Sequence, residues 1–160
     1  MIDPETRVVF DINVYLDYIL GDDGSWPLLP DAPPSTDNPS ADAIALAFAS
    51  RFRLYSSPHN LTNIARVMRR AGHSEALISA FVASVVDMCE FSGGAVIDPV
   101  ARDHGVVDYE DNLIVSLAKD QAVEALIIVS SDRHLLDLGP SWFGRLIMHP
   151  AHFVSRVVGA

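Results

Sequence analysis

The chain has 160 residues, 49% of them hydrophobic and 20% charged, which is an ordinary globular balance and long enough for one domain, residues 1–160, with a full core. No apolar run approaches the roughly 20 residues that span a bilayer. The start Met1-Ile2-Asp3-Pro4-Glu5 lacks a signal pattern, and the lone Cys89 excludes an internal disulfide, so the expected location is cytoplasmic with no membrane contact. The net charge of −10 argues against a broad basic face for nucleic acid, although cations bound among acidic residues reverse the sign locally.

Residues 7–11, with the apolar run Val8-Val9-Phe10 and its β-branched valines, predict a central strand buried on both faces. Val14 to Leu20 predicts a short helix. From Gly21 to Asp42 the composition changes: Gly21, Gly24, Pro27, Pro30, Pro33, Pro34 and Pro39 stand among Asp and Ser, which predicts a long loop, mobile or functional. A helix follows from Ser40, as candidate N-cap, to Arg51, and then a strand at Arg53–Ser56. Ser57-Pro58 opens the next helix, with Leu61, Ile64, Ala65 and Met68 on one face, ending near Ala71-Gly72. Ser74 starts another helix, to about Glu90, and Ala95 to Ile97 is a weak strand. Asp108 to Gln121 predicts a helix, Leu126 to Ser130 a second central strand, His134 to Leu138 a helical turn, Leu146 to Met148 a short strand and Ala151 to Val158 a terminal helix. Strands alternating with helices predict an α/β fold: a central parallel sheet with helices on both faces.

Three acidic positions stand beside these elements. Asp11 and Asp132 follow the two central strands, and Asp111, with Asp108 and Glu110, begins a helix. In an open parallel sheet all of them fall along the edge where ligands bind. Each has a second reading as a helix cap, because acids at a helix N-terminus gain about 0.3–1 kcal/mol from the macrodipole. Carboxylates crowded at one edge repel unless protons or a cation intervene, and oxygen ligands point to a hard divalent ion, Mg²⁺ or Mn²⁺.

The stretches Val8-Val9-Phe10-Asp11-Ile12-Asn13-Val14, Asp111 through Ala118, and Ile128-Val129-Ser130-Ser131-Asp132-Arg133-His134-Leu135-Leu136 carry a resemblance. Together with the element order, they make the chain resemble the PIN-domain family, in its VapC-like toxin branch, over nearly its whole length. Two positions depart from that family's pattern. Ile12 replaces the usual Thr or Ser. Asn63 stands where the family carries an acid, often Glu, and no Asp or Glu occurs from residue 43 to residue 74.

The resemblance implies a three-layer PIN-like fold and a metal-dependent endoribonuclease, the toxin of a toxin–antitoxin pair. Asp11, Asp111 and Asp132 would be catalytic and hold Mg²⁺ or Mn²⁺, with Asp108 as a further ligand in place of the missing acid. Asn13, Asn63 and Ser130 would orient carboxylates or water from the next layer out. Arg66, Arg69 and Arg70, with His73 close behind, form the densest basic patch and are candidates to grip RNA phosphates, or else a solvated outer face. The implied partners are an RNA substrate, an antitoxin protein and a second copy of the chain. The competing reading is a weak or inactive PIN-like domain that binds RNA or protein, and Asn63 supports it. A receiver or a haloacid-dehalogenase-like phosphatase fits less well: Lys119 follows no strand, and Asn13 stands where such a phosphatase needs a second Asp.

His149 and His152 lack a third ligand nearby. Cys89, among Val85, Val86 and Met88, reads as core. Trp26 and Trp142 are far apart in the chain and make no evident stacking platform.

Overall fold

The computed structural model describes residues 2–20, 37–103, 105–106 and 108–159. Trp26 and most of the Pro-rich loop lie outside the described residues.

The chain forms β1 (Arg7–Phe10), α1 (Ile12–Leu20), α2 (Pro39–Phe48), β2 (Arg53–Ser56), α3 (Pro58–Arg70), α4 (Glu75–Phe91), β3 (Ala95–Val96), α5 (Tyr109–Lys119), β4 (Ile127–Val129), α6 (Arg133–Leu136), β5 (Ser141–Trp142), β6 (Arg145–Met148) and α7 (Pro150–Val158). The sheet order is β3-β2-β1-β4-β6-β5, parallel except for β5 on one edge. The expected three-layer α/β arrangement is the one adopted.

Strand alternation divides the core in two. Val8 and Phe10 face one side, with Leu54, Ile127, Val129 and Met148, and pack against α1, α2, α3, α4 and α7. Val9 faces the other side, with Tyr55, Ile128 and Ile147, and packs against α5 and α6. Phe10, Phe52 and Phe153 form the aromatic centre of the larger layer, and the Phe52 and Phe153 rings meet edge to face at 4.9 Å. Gly94 is required where α4 turns into β3, because a Cβ there would fall inside the Leu54 carbonyl.

Several boundaries differ from the expected ones, α1 starting at Ile12 and α6 ending at Leu136 among them, and the second helix differs at both ends. The second helix begins at Pro39, not Ser40, and it ends at Phe48, short of Arg51. Asn38 is the cap: its Oδ1 accepts from the Ser40 and Ala41 amides at 3.0 and 3.2 Å, and Pro39 at the first helical position has no N–H to lose. Pro39, expected in the loop, is therefore helical. The sequence reading also missed β5, whose two residues pair antiparallel with β6 and are too short to carry a period.

Ser57 caps α3 as expected, its Oγ accepting from the Asn60 amide at 3.1 Å. Ser57→Ala is expected to cost about 1 kcal/mol, a melting temperature lower by roughly 2–4 °C, read by thermal denaturation. An unchanged melt would mean that packing alone holds this helix start.

Candidate functional site

The strand order makes the site. From β1 the chain moves outward to β2 and β3, then returns to β4 on the opposite flank of β1 and continues to β6. The connections diverge between β1 and β4, so the carboxyl ends of these two strands border a crevice. Asp11 follows β1 directly, and Ser130 and Asp132 follow β4. The N-terminus of α5 brings Asp108, Glu110 and Asp111 to the same edge.

Asp11 is 6% exposed and tightly held. Its Oδ2 accepts from Ser130 Oγ at 2.7 Å and from Asn13 Nδ2 at 2.9 Å, and its Oδ1 accepts from the Ile12 amide at 2.7 Å. Asn13 Oδ1 in turn accepts from the Ser131 amide, and Ser130 Oγ from the Asp132 amide. Asn13 and Ser130 thus tie the end of β1 to the end of β4. Burial pushes the Asp11 carboxyl up to about 6 against the lowering effect of these hydrogen bonds, and the Asp132 and Glu110 charges add to the rise.

Asp111 is 5% exposed. Burial, and then the charges of Asp132, Asp108 and Asp11, push it up to about 7. Those charges place the four aspartates in one electrostatic cluster. Among the described residues no Lys or Arg forms an ion pair with Asp11, Asp111 or Asp132.

Asp108 and Asp132 also serve as the caps that the sequence left open. Asp108 Oδ1 accepts from the Glu110 and Asp111 amides, both at 3.0 Å, and Asp132 Oδ1 accepts from the His134 amide at 2.8 Å. Ligand atoms of Asp111, Asp132 and His134 all lie within 4.8 Å of one another. The sequence reading passed over His134; its signal was its position two residues after Asp132.

Asn63 is buried on α3 beside Ile64 and makes no side-chain hydrogen bond to any described residue. The basic patch is less free than its sequence suggests. Arg66 pairs with Glu110 at 2.6 Å, which draws it towards the site, and Arg69 forms a two-pronged pair with Glu75 on the neighbouring helix. Arg70 is exposed and has no ion pair among the described residues. Next to Glu110, Tyr109 stands 60% exposed, with the Arg102 guanidinium 4.6 Å over its ring and His59 against it edge to face.

The other candidates have structural roles. His149 caps α7 through Nδ1, and Cys89 is buried in the larger layer. Trp142 sits on β5 against Phe143. No described helix is long and apolar enough to cross a membrane.

The donor set suits a hard divalent cation. It offers carboxylate oxygens, two of them on buried groups raised in pKa, converging at a strand-end crevice where no Lys or Arg among the described residues pairs with them. A family model described as "PIN domain" matches residues 7–134. No curated protein and no solved structure matches the chain.

Proposed function

The chain belongs to the PIN-domain family, and from that premise we propose that it is a metal-dependent endoribonuclease acting at the β1/β4 crevice. The family supports a nuclease-type activity in general. The single observation that carries the finer reading is the pair of buried carboxylates, Asp11 and Asp111, both raised in pKa and without a Lys or Arg partner among the described residues. Such a pair is costly in an empty site and becomes favourable around a dication.

Asp11, Asp111 and Asp132 are the residues that would hold Mg²⁺ or Mn²⁺. Bound there, the ion supplies an activated water at neutral pH and positive charge for the phosphoryl oxygens. The protein supplies orientation. Ser130 and Asn13 lock Asp11 in one rotamer, so its carboxylate loses little freedom on binding. Asp108 fixes the first turn of α5 and so aims Asp111. Arg66, beside Glu110 at the rim, and the exposed Arg70 are the cations we assign to substrate phosphates, and the Arg66–Glu110 pair must open for Arg66 to take that role. An antitoxin partner and a toxin role belong to the same proposal and rest on the family resemblance.

The test is incubation of purified protein with mixed single-stranded RNA in Mn²⁺ or Mg²⁺, beside EDTA and Asp11→Asn controls. Internal cleavage that disappears in both controls is expected. Cleavage that survives both overturns the metal mechanism. A folded protein that cleaves nothing in either metal favours the non-catalytic reading, for which the uncharged Asn63 is the specific observation.

A further inference from the structure

We propose that His134 is a direct metal ligand of this centre, and that it makes the site one for a transition-metal dication of the Mn²⁺ type in preference to Mg²⁺. The inference rests on the functional reading above and names a residue and a metal class that the acidic motifs do not.

Geometry comes first. His134 Nδ1 is 3.7 Å from Asp132 Oδ1, too far for a hydrogen bond. Adjacent ligands on an octahedral cation, each about 2.1 Å from it, stand about 3 Å apart, and opposite ligands about 4.2 Å. Ligand atoms of Asp111, Asp132 and His134 all lie within 4.8 Å of one another, and the His134–Asp132 separation of 3.7 Å falls between these two values. His134 is exposed, so its imidazole has room to adjust around an ion.

Local structure then fixes where the imidazole starts from. The His134 amide is bound to Asp132 Oδ1 at 2.8 Å, so the cap that begins α6 holds the backbone of one ligand against the carboxylate of the other. The same cap leaves Asp132 Oδ2 available to an ion. His134 Nδ1 faces this carboxylate and no other acid within ion-pair distance among the described residues.

Charge and donor count supply the reason. Asn63 stands where the family resemblance places an acid, and by that alignment the centre has one anionic ligand fewer. A neutral imidazole adds a donor but no charge. Mg²⁺ depends on anionic oxygen and holds its waters, whereas an imidazole nitrogen strengthens binding of first-row transition metals. Exchanging an acid for a histidine therefore shifts preference along that series.

The experiment is calorimetric titration of Mn²⁺ and of Mg²⁺ into wild type, His134→Ala, Asp111→Asn and Asp132→Asn, with pulsed electron paramagnetic resonance of the Mn²⁺ complexes. Wild type is expected to show nitrogen modulation on bound Mn²⁺. His134→Ala is expected to lose that modulation and about 10-fold or more in Mn²⁺ affinity, with Mg²⁺ affinity changed less than about 3-fold. Absence of nitrogen modulation in wild type, or equal losses for both metals, overturns the proposal. If Asp111→Asn and Asp132→Asn abolish binding but His134→Ala changes nothing, only the histidine assignment falls. If neither aspartate variant alters binding, the functional reading falls with it. Circular dichroism of each variant verifies folding, and the exposed His134 has no packing to lose.

Discussion

Asp111→Asn is expected to lower RNA cleavage by about 10²–10³-fold and, in the same protein, to raise the melting temperature of the metal-free form. The two effects share one cause. Asp111 is buried beside three other aspartates, and its carboxyl is pushed up to about 7 by burial and by their charges. At pH 8 the metal-free protein must hold that anion with no Lys or Arg paired to it among the described residues. Asparagine keeps the shape and removes the charge, so the folded state no longer bears the repulsion. It also removes an anionic ligand, so metal is held less well and activity falls. Cleavage of RNA in Mn²⁺ measures the first effect, and a thermal melt in EDTA at pH 8 the second. A variant with full activity would remove Asp111 from the site. A variant less stable than wild type in EDTA would show that the carboxylate has a structural partner.

The metal-free protein is expected to lose stability as pH rises from about 4 to about 7, the reverse of common carboxylate behaviour, and Mn²⁺ is expected to restore it. In the folded state Asp11 and Asp111 titrate at about 6 and about 7, against an ordinary value of 3.8. Between those limits the folded chain binds more protons than the unfolded one, so unfolding becomes easier as protons are withdrawn. The stabilisation is full below about 4 and is gone above about 7. One pKa unit corresponds to about 1.4 kcal/mol, so the two rises together amount to several kcal/mol and a fall in melting temperature of roughly 10 °C or more. Asp3 and Glu75, both lowered by hydrogen bonds to surface partners, act in the opposite direction but at the acid end of the range. Melts at several pH values in EDTA, with and without excess Mn²⁺, read the effect directly. Stability that climbs steadily from pH 4.5 to 8 without metal would show that the two carboxylates are not held as anions at a cost.

The elements were legible where a local physical rule dominates. Arg7–Phe10 reads as a strand because three consecutive apolar residues, Val8, Val9 and Phe10, suit a ribbon buried on both faces, and Val8 and Val9 duly face opposite layers. Ser57-Pro58 and Ser74-Glu75 mark helix starts because a hydroxyl satisfies free amides there. The start of α2 was misplaced by one residue because Asn38, Pro39 and Ser40 all suit a helix start, and only the hydrogen bonds from Ser40 and Ala41 to Asn38 decide among them. β5 could not be read, since two residues have no period and their pairing depends on β6. Val14, Leu16, Ile19, Ile44 and Leu46 belong to the larger core layer.

The sequence by itself determined which residues carry charge at the ends of apolar segments. Asp11, Asp111 and Asp132 are legible because a carboxylate just past a buried strand, or at the start of a helix, stands out against the period around it. Asn13 and Ser130 are legible through the family resemblance. What only the tertiary structure decided is how those groups meet. The divergence of the chain between β1 and β4 brings together residues more than a hundred positions apart and buries two of their carboxylates. It also gives Asp108 to a helix cap, pairs Arg66 with Glu110, and sets His134 beside Asp111 and Asp132. A pKa, an ion pair and a ligand distance each depend on what surrounds a side chain in space, and sequence spacing carries that only within a turn or two of the same helix or strand.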